Sequence, residues 1–423
     1  MLNIPLIDVA MGFSSAIDLI SPQITNHQKR VSYIAYSIST EMGLKQDEKR
    51  QILLAGLLHD CGAIHDWEKL EALRFDFGTN VVERHNHGIR GWKLLRDFED
   101  LKTAAEIIRF HHMYWDERNS VSGESSAIPL GSHIIHLADR IDVLIDRNQE
   151  ILQQRTLLER KIKGASDKMF MPEIVEAFID LSSREYFWFD LVNPFIDEML
   201  RRFLGDNMIT VNIKKLLSLA GIFNKIIDFR SSFTAAHSIG VAECATILAT
   251  KMNFSKEDVQ MMNVAGLLHD LGKLAIPIEI LEKNGPLSIN EFNIMKTHPF
   301  YSYRILERIP QMEKINEWAS YHHEKVDGNG YPFRLDKKEL SLGSRIMAVS
   351  DVFTALTEAR PYRHALSVMD AIKIINGMVK EKHLDGDVFL ELKRHIEEIN
   401  QLKLNAQSNV LVKHKEFSVP SYI

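Results

Sequence analysis

The chain has 423 residues, a formal net charge of −6 and a hydrophobic fraction of 45%. This length exceeds what one hydrophobic core usually organises, so we expect two domains. A negative net charge provides no electrostatic footprint for wrapping a nucleic-acid duplex, although it leaves room for a local basic pocket that binds one or two phosphates. Long nucleic acid is therefore excluded as the main partner.

Cysteine content and hydropathy bear on the compartment. The two cysteines, Cys61 and Cys244, lie in or beside apolar helical stretches of different halves, which argues against a disulfide framework. The apolar N-terminal stretch lacks a basic leader and contains Asp8 and Asp18, and no window is long and uncharged enough to span a membrane. We expect a cytoplasmic protein without a membrane span.

Helical periodicity runs through most of the chain. Apolar residues recur at spacings of three and four in stretches such as VQMMNVAGLLHDLG and LGSRIMAVSDVFTALTEA, whereas alternating patterns are scarce. The exception is SNVLVKHKEF near the C-terminus, which predicts a short strand. We therefore predict an all-α fold with two tandem helical domains.

An internal repeat relates the two halves of the chain. His27 aligns with His237, and in both halves a His-Asp pair follows 32 residues later. The further matches are His59-Asp60 with His269-Asp270, His87 with His298, His111-His112 with His322-His323, and Asp139 with Asp351. We place the domain boundary in the turn-like LGDN at 204–207, giving domains of residues 1–208 and 209–423.

A glycine follows each His-Asp pair, at Gly62 and at Gly272. Glycine often ends a helix in the left-handed conformation, so we interpret both as helix stops. The His-Asp pair would then lie where a helix ends.

Each repeat carries five histidines and two aspartates at matched positions, which together indicate metal binding. Imidazole and carboxylate without thiolate suit Fe, Mn or Zn. Seven donors fit two ions better than one, with a shared carboxylate for which Asp270 is the natural bridge. The first ion would be held by His237, His269 and Asp351, and the second by His298, His322 and His323. Two ions about 3.5–4 Å apart would generate hydroxide and stabilise the entering and leaving oxygens in displacement at phosphorus.

These motifs resemble a known family. The spaced histidines with HD at 269–270 and Asp351 resemble the HD superfamily of metal-dependent phosphohydrolases, and HDLGK, HHEKVDGNGYP and SDVFTALTEARPYR are similar to its HD-GYP subfamily over roughly residues 210–395. The resemblance implies a metal-dependent phosphodiesterase with Fe or Mn as the ions. It would hydrolyse cyclic di-GMP, 3′,3′-cyclic GMP-AMP or both to the linear dinucleotide, and in some members on to mononucleotides.

Four residues near the predicted ligands are candidates for contact with the substrate. Lys273 lies one helical turn past His269 and could stabilise charge on a phosphoryl oxygen or the leaving alkoxide, so Lys273 and Asp270 are the predicted catalytic residues. Arg360 and Arg363 carry guanidinium forks that suit phosphate or guanine. Tyr331, in the DGNGYP loop, could stack on a base or hydrogen-bond to a phosphate.

Two positions depart from the family pattern. Phe233 stands where many members carry a glutamate that supports a third metal, so we expect a binuclear centre. Thr354 stands where many members carry an aspartate, which puts family-wide assumptions about substrate contacts in doubt.

The first repeat keeps every candidate ligand but departs elsewhere. Ala63 takes the place of Lys273, and HHMYWDERNS replaces the glycine-tyrosine-proline loop. We expect residues 1–208 to form a degenerate HD domain that binds metal or a small regulator. The candidate metal site in this domain comprises His27, His59, Asp60, His87, His111, His112 and Asp139. The alternative is that these histidines support structure only.

Three other functions stay open. A histidine- and carboxylate-ligated diiron centre could serve as an oxygen or redox sensor without turnover, and the second repeat could bind a cyclic dinucleotide and signal without hydrolysing it. An HD enzyme acting on a mononucleotide or an alarmone is the rival among hydrolases, but it would not explain the loop at 327–332. The sequence leaves the oligomeric state open, with a homodimer or a signalling partner protein compatible with it.

Overall fold

The computed structural model describes residues 2–20, 25–63, 81–118, 128–205, 208–230, 236–359 and 364–418, with side chains throughout except at 81–84, 229–230 and 409–418. The chain forms two compact units, an N-terminal unit of Pro5–Thr210 and a C-terminal unit of Met1–Ile4 with Val211–Ile423. The all-α class is confirmed, because the described residues contain only two short strands. These are β1 (Ile4–Pro5) and β2 (Thr210–Val211), which have two residues each and pair with each other.

The described part of the N-terminal unit is built from ten helices and one 3₁₀ turn. The helices are α1 (Leu6–Asp18), α2 (His27–Glu41), α3 (Gln46–Leu58), α4 (Val81–Leu95), α5 (Lys102–Arg109), α6 (Leu130–Leu144), α7 (Ile151–Gly164), α8 (Pro172–Ser182), α9 (Glu185–Leu191) and α10 (Ile196–Leu204), and the 3₁₀ turn is Glu99–Leu101. Helix α2 packs on α3, α6 and α8 and is the centre of this unit.

The described part of the C-terminal unit repeats this arrangement and extends it. Its helices are α11 (Ile213–Arg230), α12 (His237–Lys251), α13 (Lys256–Leu268), α14 (Ile278–Leu281), α15 (Ile289–Met295), α16 (His298–Leu306), α17 (Glu313–Ser320), α18 (Leu342–Thr357), α19 (Val368–Lys380), α20 (Gly386–Arg394) and α21 (Ile396–Ser418), with a 3₁₀ turn at Leu271–Ala275. Helix α12 is central and packs on α13, α18 and α21. No helix among the described residues is long and apolar enough to cross a bilayer.

Serine caps fix where two of the helices that carry predicted ligands begin. The side chain of Ser255 accepts a hydrogen bond from the amide of Asp258 at the start of α13, and Ser341 accepts one from Ser344 at the start of α18. Each cap satisfies an otherwise unpaired amide of the first turn. The caps therefore hold the start of each helix, and with it the register of the ligands further along.

A close helix crossing in each unit brings the first predicted histidine to the His-Asp pair. A Cβ on Gly266 of α13 would lie 2.4 Å from the Cα of Ala242 in α12, and a Cβ on Gly56 of α3 would lie 2.8 Å from the Cα of Ser32 in α2. Glycine lets the two backbones approach at this point. The start of one helix thereby lies beside the end of the other.

Helices α3 and α13 end directly before the His-Asp pairs, but the role predicted for the glycines is wrong. Neither Gly62 nor Gly272 has a positive φ. A Cβ on Gly272 would lie 2.0 Å from the carbonyl oxygen of His298, and one on Gly62 would lie 2.1 Å from that of His87. These glycines therefore allow a neighbouring helix to approach the His-Asp pair.

The strand predicted in SNVLVKHKEF is also wrong. The backbone at these positions belongs to the helix α21, which runs without interruption from Ile396 to Ser418. The stretch contains no glycine or proline to end the helix, and a short apolar run does not distinguish strand from helix by its period alone.

Candidate metal centres

The seven predicted ligands of the C-terminal unit lie at the ends or inner faces of helices and converge on one place. His237 begins α12, His269 caps α13 and is followed by Asp270, His298 begins α16, His322 and His323 follow α17, and Asp351 lies within α18. The side chains are buried except that of His323, which is 30% exposed. The cluster is therefore enclosed on most sides and reaches solvent beside His323.

The donor atoms form two separate groups of three, and a third group of His269, Asp270 and His322 overlaps both. One group is His298, His322 and His323, and the other is His237, His269 and Asp351, with the donor atoms of each group within 4.8 Å of one another. The Nε2 atoms of His298 and His322 are 3.2 Å apart, and Nε2 of His237 lies 3.1 Å from Oδ1 of Asp351.

The carboxylate of Asp270 lies between the two groups. Its Oδ2 is 3.2 Å from Nε2 of His269, and its Oδ1 is 3.4 Å from Nε2 of His298. One carboxylate oxygen thus faces each group, which is the arrangement that a bridging ligand requires.

Backbone carbonyls orient three of these imidazoles. Nδ1 of His269 donates to the carbonyl of Gly266 at 2.8 Å, and Nδ1 of His322 donates to that of Ala319 at 2.7 Å. Nδ1 of His298 donates to the carbonyl of Met295, also at 2.7 Å. Such bonds fix the tautomer that leaves Nε2 with a free lone pair, as in metal-ligating histidines. Nε2 of His269 has no hydrogen-bond partner, so its lone pair is available.

The protonation states of the cluster also suit a cation. Burial lowers the pKa of His298 and of His323 to about 3, so both imidazoles are neutral at physiological pH. Burial alone would raise the pKa of Asp270, but the neighbouring His269 and Lys273 hold it well below its usual range. Neutral imidazoles and ionised carboxylates are the forms that bind divalent metals, so the residues fit Fe, Mn or Zn.

The predicted catalytic lysine lies at the carboxylate between the two donor groups. Lys273 lies in the 3₁₀ turn after Asp270. The Nζ atom of Lys273 donates a hydrogen bond to Oδ2 of Asp270 at 2.6 Å. The side chain is 17% exposed. A cation is thereby held beside the carboxylate that lies between the two donor groups.

The glycine-tyrosine-proline loop lies against the exposed side of the cluster. The amide of Tyr331 donates to the carbonyl of His323 at 3.2 Å, and the two rings are 4.9 Å apart. Gly328 has a φ of +79°, and a Cβ on Gly330 would lie 2.4 Å from the Cα of Glu324. Two glycines are thus required for the loop to bring Tyr331 beside His323.

Glu324 organises this loop, and sequence reasoning missed it. Its buried carboxylate accepts hydrogen bonds from the amides of Phe333, Arg334 and Leu335 at 2.6, 3.2 and 3.1 Å. A carboxylate that accepts several backbone amides is a strong structural anchor. Its position directly after the His-His pair was the available signal.

Glu358 is a second residue that sequence reasoning missed. Its Oε2 accepts a hydrogen bond from Nδ1 of His237 at 2.9 Å, and Gln407 of α21 donates to its Oε1. In the N-terminal unit Asp142, three residues after Asp139, accepts the corresponding bond from Nδ1 of its own first histidine. The equivalent position in the C-terminal unit is Thr354, and the carboxylate there is supplied instead by Glu358, directly after the end of α18.

Asp228 is a third residue that sequence reasoning missed. Its buried carboxylate accepts a hydrogen bond from Asn224 at 2.8 Å. It also interacts electrostatically with His237, Asp270 and Lys273. Burial raises its pKa well above the usual range. Asp18 precedes His27 by the same nine residues by which Asp228 precedes His237, so the internal repeat contained a signal for it.

Three predicted positions, Arg360, Arg363 and Phe233, lie outside the described residues. Their predicted roles, two substrate contacts and a missing third-metal ligand, stay predictions.

The N-terminal unit also brings its predicted residues together. The donor groups there are His87, His111 and His112, and His27, His59 and Asp139, again with the donors of each group within 4.8 Å.

Comparisons with known proteins match both units to one family. Family models described as the HD domain match residues 24–144 and 221–388. The 3′3′-cGAMP-specific phosphodiesterase 1 of Vibrio cholerae is 31% identical over 415 residues, which are 95% of this chain and 94% of that protein. The cyclic di-GMP phosphodiesterase PA4108 of Pseudomonas aeruginosa is 32% identical over 245 residues, which are 57% of this chain and 53% of that protein.

A solved structure matches the fold over the whole chain. The crystal structure of the cyclic GMP-AMP-specific phosphodiesterase V-cGAP3 of V. cholerae aligns with a TM-score of 0.67 at 23% identity. The alignment covers 94% of this chain and 98% of that one. The folds of both units therefore resemble that solved structure.

Proposed function

The chain belongs to the HD-domain family, in the HD-GYP branch that contains cyclic-dinucleotide phosphodiesterases, and from this premise we propose that its C-terminal unit hydrolyses 3′3′-cGAMP to the linear dinucleotide. The observation that carries the proposal is the C-terminal cluster, in which two groups of metal donors, a carboxylate between them and a partly buried lysine meet at an opening to solvent. The cluster has the parts that phosphodiester hydrolysis needs.

Two divalent cations, Fe or Mn, are the proposed cofactors. His237, His269 and Asp351 would hold one, His298, His322 and His323 would hold the other, and Asp270 would bridge them. When bound, such cations supply Lewis acidity and lower the pKa of water, which is the chemistry that attack on a phosphodiester requires. The neutral imidazoles and the ionised Asp270 described above are ready to bind them without first losing a proton.

Lys273 stabilises negative charge beside the cluster. Its ammonium is anchored on Asp270 at 2.6 Å, so it lies within reach of a phosphate placed over the cluster. A fixed cation in a largely buried place interacts with developing charge more strongly than one in water. We assign to Lys273 the stabilisation of the phosphoryl oxygens or the leaving alkoxide.

The opening at His323 defines where substrate enters. Tyr331 lies 4.9 Å from His323 and is only partly buried, so its ring can form one wall for a base. Glu324 holds the loop that carries Tyr331 through three backbone amides. Arg360 and Arg363 stay the predicted contacts for phosphate or guanine.

We infer the preference for 3′3′-cGAMP over cyclic di-GMP from the share of this chain that each relative matches. The relatives that match this chain over more than nine tenths of its length have names that specify cGAMP. PA4108, whose name specifies cyclic di-GMP, matches little more than half of the chain. A third cGAMP-specific relative matches only 32% of this chain, so the inference depends on the two relatives that match across both units. We further infer that the protein acts in the cytoplasm, because Cys61 and Cys244 are buried free thiols.

Steady-state hydrolysis tests the proposal. The Fe- or Mn-loaded chain should hydrolyse 3′3′-cGAMP with a higher kcat/KM than cyclic di-GMP. His298→Ala, which removes a donor, should lose activity by about 10³-fold or more, whereas His395→Ala should not, because His395 pairs with Glu391 away from the cluster. Wild-type protein that holds both metals yet turns over neither substrate would contradict the proposal and favour an oxygen sensor or a binding module.

A further inference from the structure

We propose that the N-terminal unit holds a second metal centre, which is closed to substrate and retains divalent transition cations without hydrolysing a dinucleotide. Its donors are His27, His59, Asp60, His87, His111, His112 and Asp139. The inference goes beyond the activity assigned to the C-terminal unit and concerns a site with its own donors.

Three imidazole nitrogens of this cluster face one another at hydrogen-bond distance. Nε2 of His87 lies 3.1 Å from Nε2 of His111 and 3.0 Å from Nε2 of His112. Asp60 lies beside them, with its Oδ1 at 3.7 Å from Nε2 of His87 and at 3.6 Å from Nε2 of His59. On the other side, Nε2 of His27 lies 3.3 Å from Oδ1 of Asp139.

Backbone carbonyls direct two lone pairs into the cluster. Nδ1 of His59 donates to the carbonyl of Gly56 at 2.8 Å, and Nδ1 of His111 donates to that of Ile108 at 2.6 Å. In the tautomer that donates from Nδ1, Nε2 carries a lone pair, and Nε2 of His59 has no hydrogen-bond partner. Buried lone pairs without a donor are unfavourable, and a shared cation would satisfy them.

Several orienting contacts have a counterpart in the C-terminal unit. His59 and Gly56 correspond to His269 and Gly266, with the same three-residue spacing and the same 2.8 Å bond. His27 is oriented by Asp142, whose Oδ2 accepts from its Nδ1 at 2.7 Å. Asp142 also accepts from Arg30 and Arg147. The supporting contacts of metal ligands are therefore present as well as the ligands.

Both clusters place a basic side chain beside one of their aspartates, but beside a different one in each. Each cluster contains two aspartates and one basic side chain that is at least partly buried. In the C-terminal unit Lys273 is bonded to the bridging Asp270, whereas in the N-terminal unit Arg140 is bonded to Asp139 at 2.5 Å. The buried Ala63 occupies the position of the lysine. The basic side chain of the N-terminal cluster therefore lies beside Asp139 and not, like Lys273, beside the aspartate of the His-Asp pair.

The N-terminal cluster is also closed. Its seven side chains are each no more than 5% exposed, and His112 is 3% exposed where the corresponding His323 is 30% exposed. The segment after His112 folds back, since the amide of Trp115 donates to the carbonyl of Met169 at 3.2 Å. Structural metal sites are closed, whereas catalytic sites keep an open position. The geometry therefore points to a resident metal without turnover.

Metal content of the full chain tests the inference. Purified wild-type protein, grown with Mn or Fe, would be compared by elemental analysis with His269→Ala/His322→Ala, which removes donors of the C-terminal cluster, and with His59→Ala/His111→Ala, which removes donors of the N-terminal cluster. With about two ions for each cluster, each double variant should keep about half of the wild-type metal. His133→Ala, a buried histidine outside the donor set, is the control and should keep it all.

The two proposals fail in distinguishable ways. If His269→Ala/His322→Ala carries no metal above background while its circular dichroism is native, the N-terminal centre does not exist, whatever the activity of the wild type. Anomalous X-ray scattering from wild-type crystals provides a measurement that needs no folded variant. A peak among His87, His111 and His112 supports the centre, and a peak confined to the C-terminal cluster overturns it.

Discussion

The two units of this chain carry the same seven donors in the same order and differ in what surrounds them. In the C-terminal unit His323 reaches solvent, a glycine-rich loop covers one side and Lys273 lies on the bridging Asp270. In the N-terminal unit the corresponding His112 is buried and the basic side chain, Arg140, lies on a different aspartate. The difference teaches that the predicted metal donors can be retained in this fold while the residues around them change.

The same comparison separates the ligand from its support. In both units the first histidine of the set donates Nδ1 to a carboxylate, but the carboxylate is Asp142 in one and Glu358 in the other. The longer glutamate side chain reaches back to the histidine from a position directly after the end of α18. The supporting contact is thus retained although its position in the sequence is not.

Among the residues that surround the donors, the lysine should have the largest effect. Lys273→Ala should lower kcat by about 10²- to 10³-fold, because it removes a fixed charge that acts on the transition state. Metal content should stay at the wild-type level, since Lys273 is not a donor. Parallel measurement of kcat and bound metal checks both points. A loss of metal equal to the loss of activity would show that the lysine acts on the donors instead.

The orienting carboxylate should have the next largest effect. Glu358→Gln leaves His237 with a weaker acceptor and should reduce metal affinity or activity by about 10- to 100-fold. Thr354→Asp in that background would restore a carboxylate at the position that Asp142 occupies in the N-terminal unit, and we expect partial recovery of metal affinity. Competition with a fluorescent chelator measures the affinity. If Glu358→Gln binds metal with unchanged affinity, Glu358 does not support His237 as a metal ligand.

The pH dependence of the metal-free chain should show contributions from both units. Burial lowers the pKa of His298 to about 3 and that of His111 to about 4, whereas an unfolded histidine titrates near 6.5. The unfolded chain therefore binds more protons below pH 6.5, and stability falls as the pH drops. Each such imidazole should lower the free energy of unfolding by about 2 kcal/mol between pH 7 and pH 5.

His27 should act in the opposite direction. Burial opposes its charged form, but hydrogen bonds with Asp139 and Asp142 outweigh this and raise its pKa to about 9. Its contribution is fully present below pH 6.5 and is lost as the pH rises to 9. Urea unfolding of chelator-treated protein at pH 5, 7 and 9 should therefore give the highest midpoint at pH 7. A midpoint that rises from pH 7 to pH 5 would contradict these assignments.

The ligand set could be predicted because its pattern is local and repeated. A histidine, a His-Asp pair and a His-His pair recur at nearly equal spacings in both halves, and the helical period around them predicts the fold class. The structure brings the two predicted donor groups of the C-terminal unit together and places Asp270 between them.

The supporting residues could not be predicted because their partners are distant in sequence. Glu358 contacts His237 across 121 positions, and nothing near either residue announces the pair. The role of Gly272 depends on how closely the backbone of His298 approaches, which only the packing of α16 determines. The closed state of the N-terminal cluster likewise depends on side-chain burial, which identical ligand spacing does not reveal.

An isosteric substitution in each unit tests the central comparison most directly. Asp270→Asn and Asp60→Asn remove the same charge from corresponding positions, and kcat/KM for 3′3′-cGAMP would be measured for both in the metal-loaded chain. We expect Asp270→Asn to lose about 10³-fold or more, since the bridging carboxylate serves both ions, and Asp60→Asn to lose less than about 10-fold, as expected for a site that takes no part in the reaction. Equal losses in the two variants, or a larger loss in Asp60→Asn, would contradict the division of the chain into one catalytic and one closed metal centre.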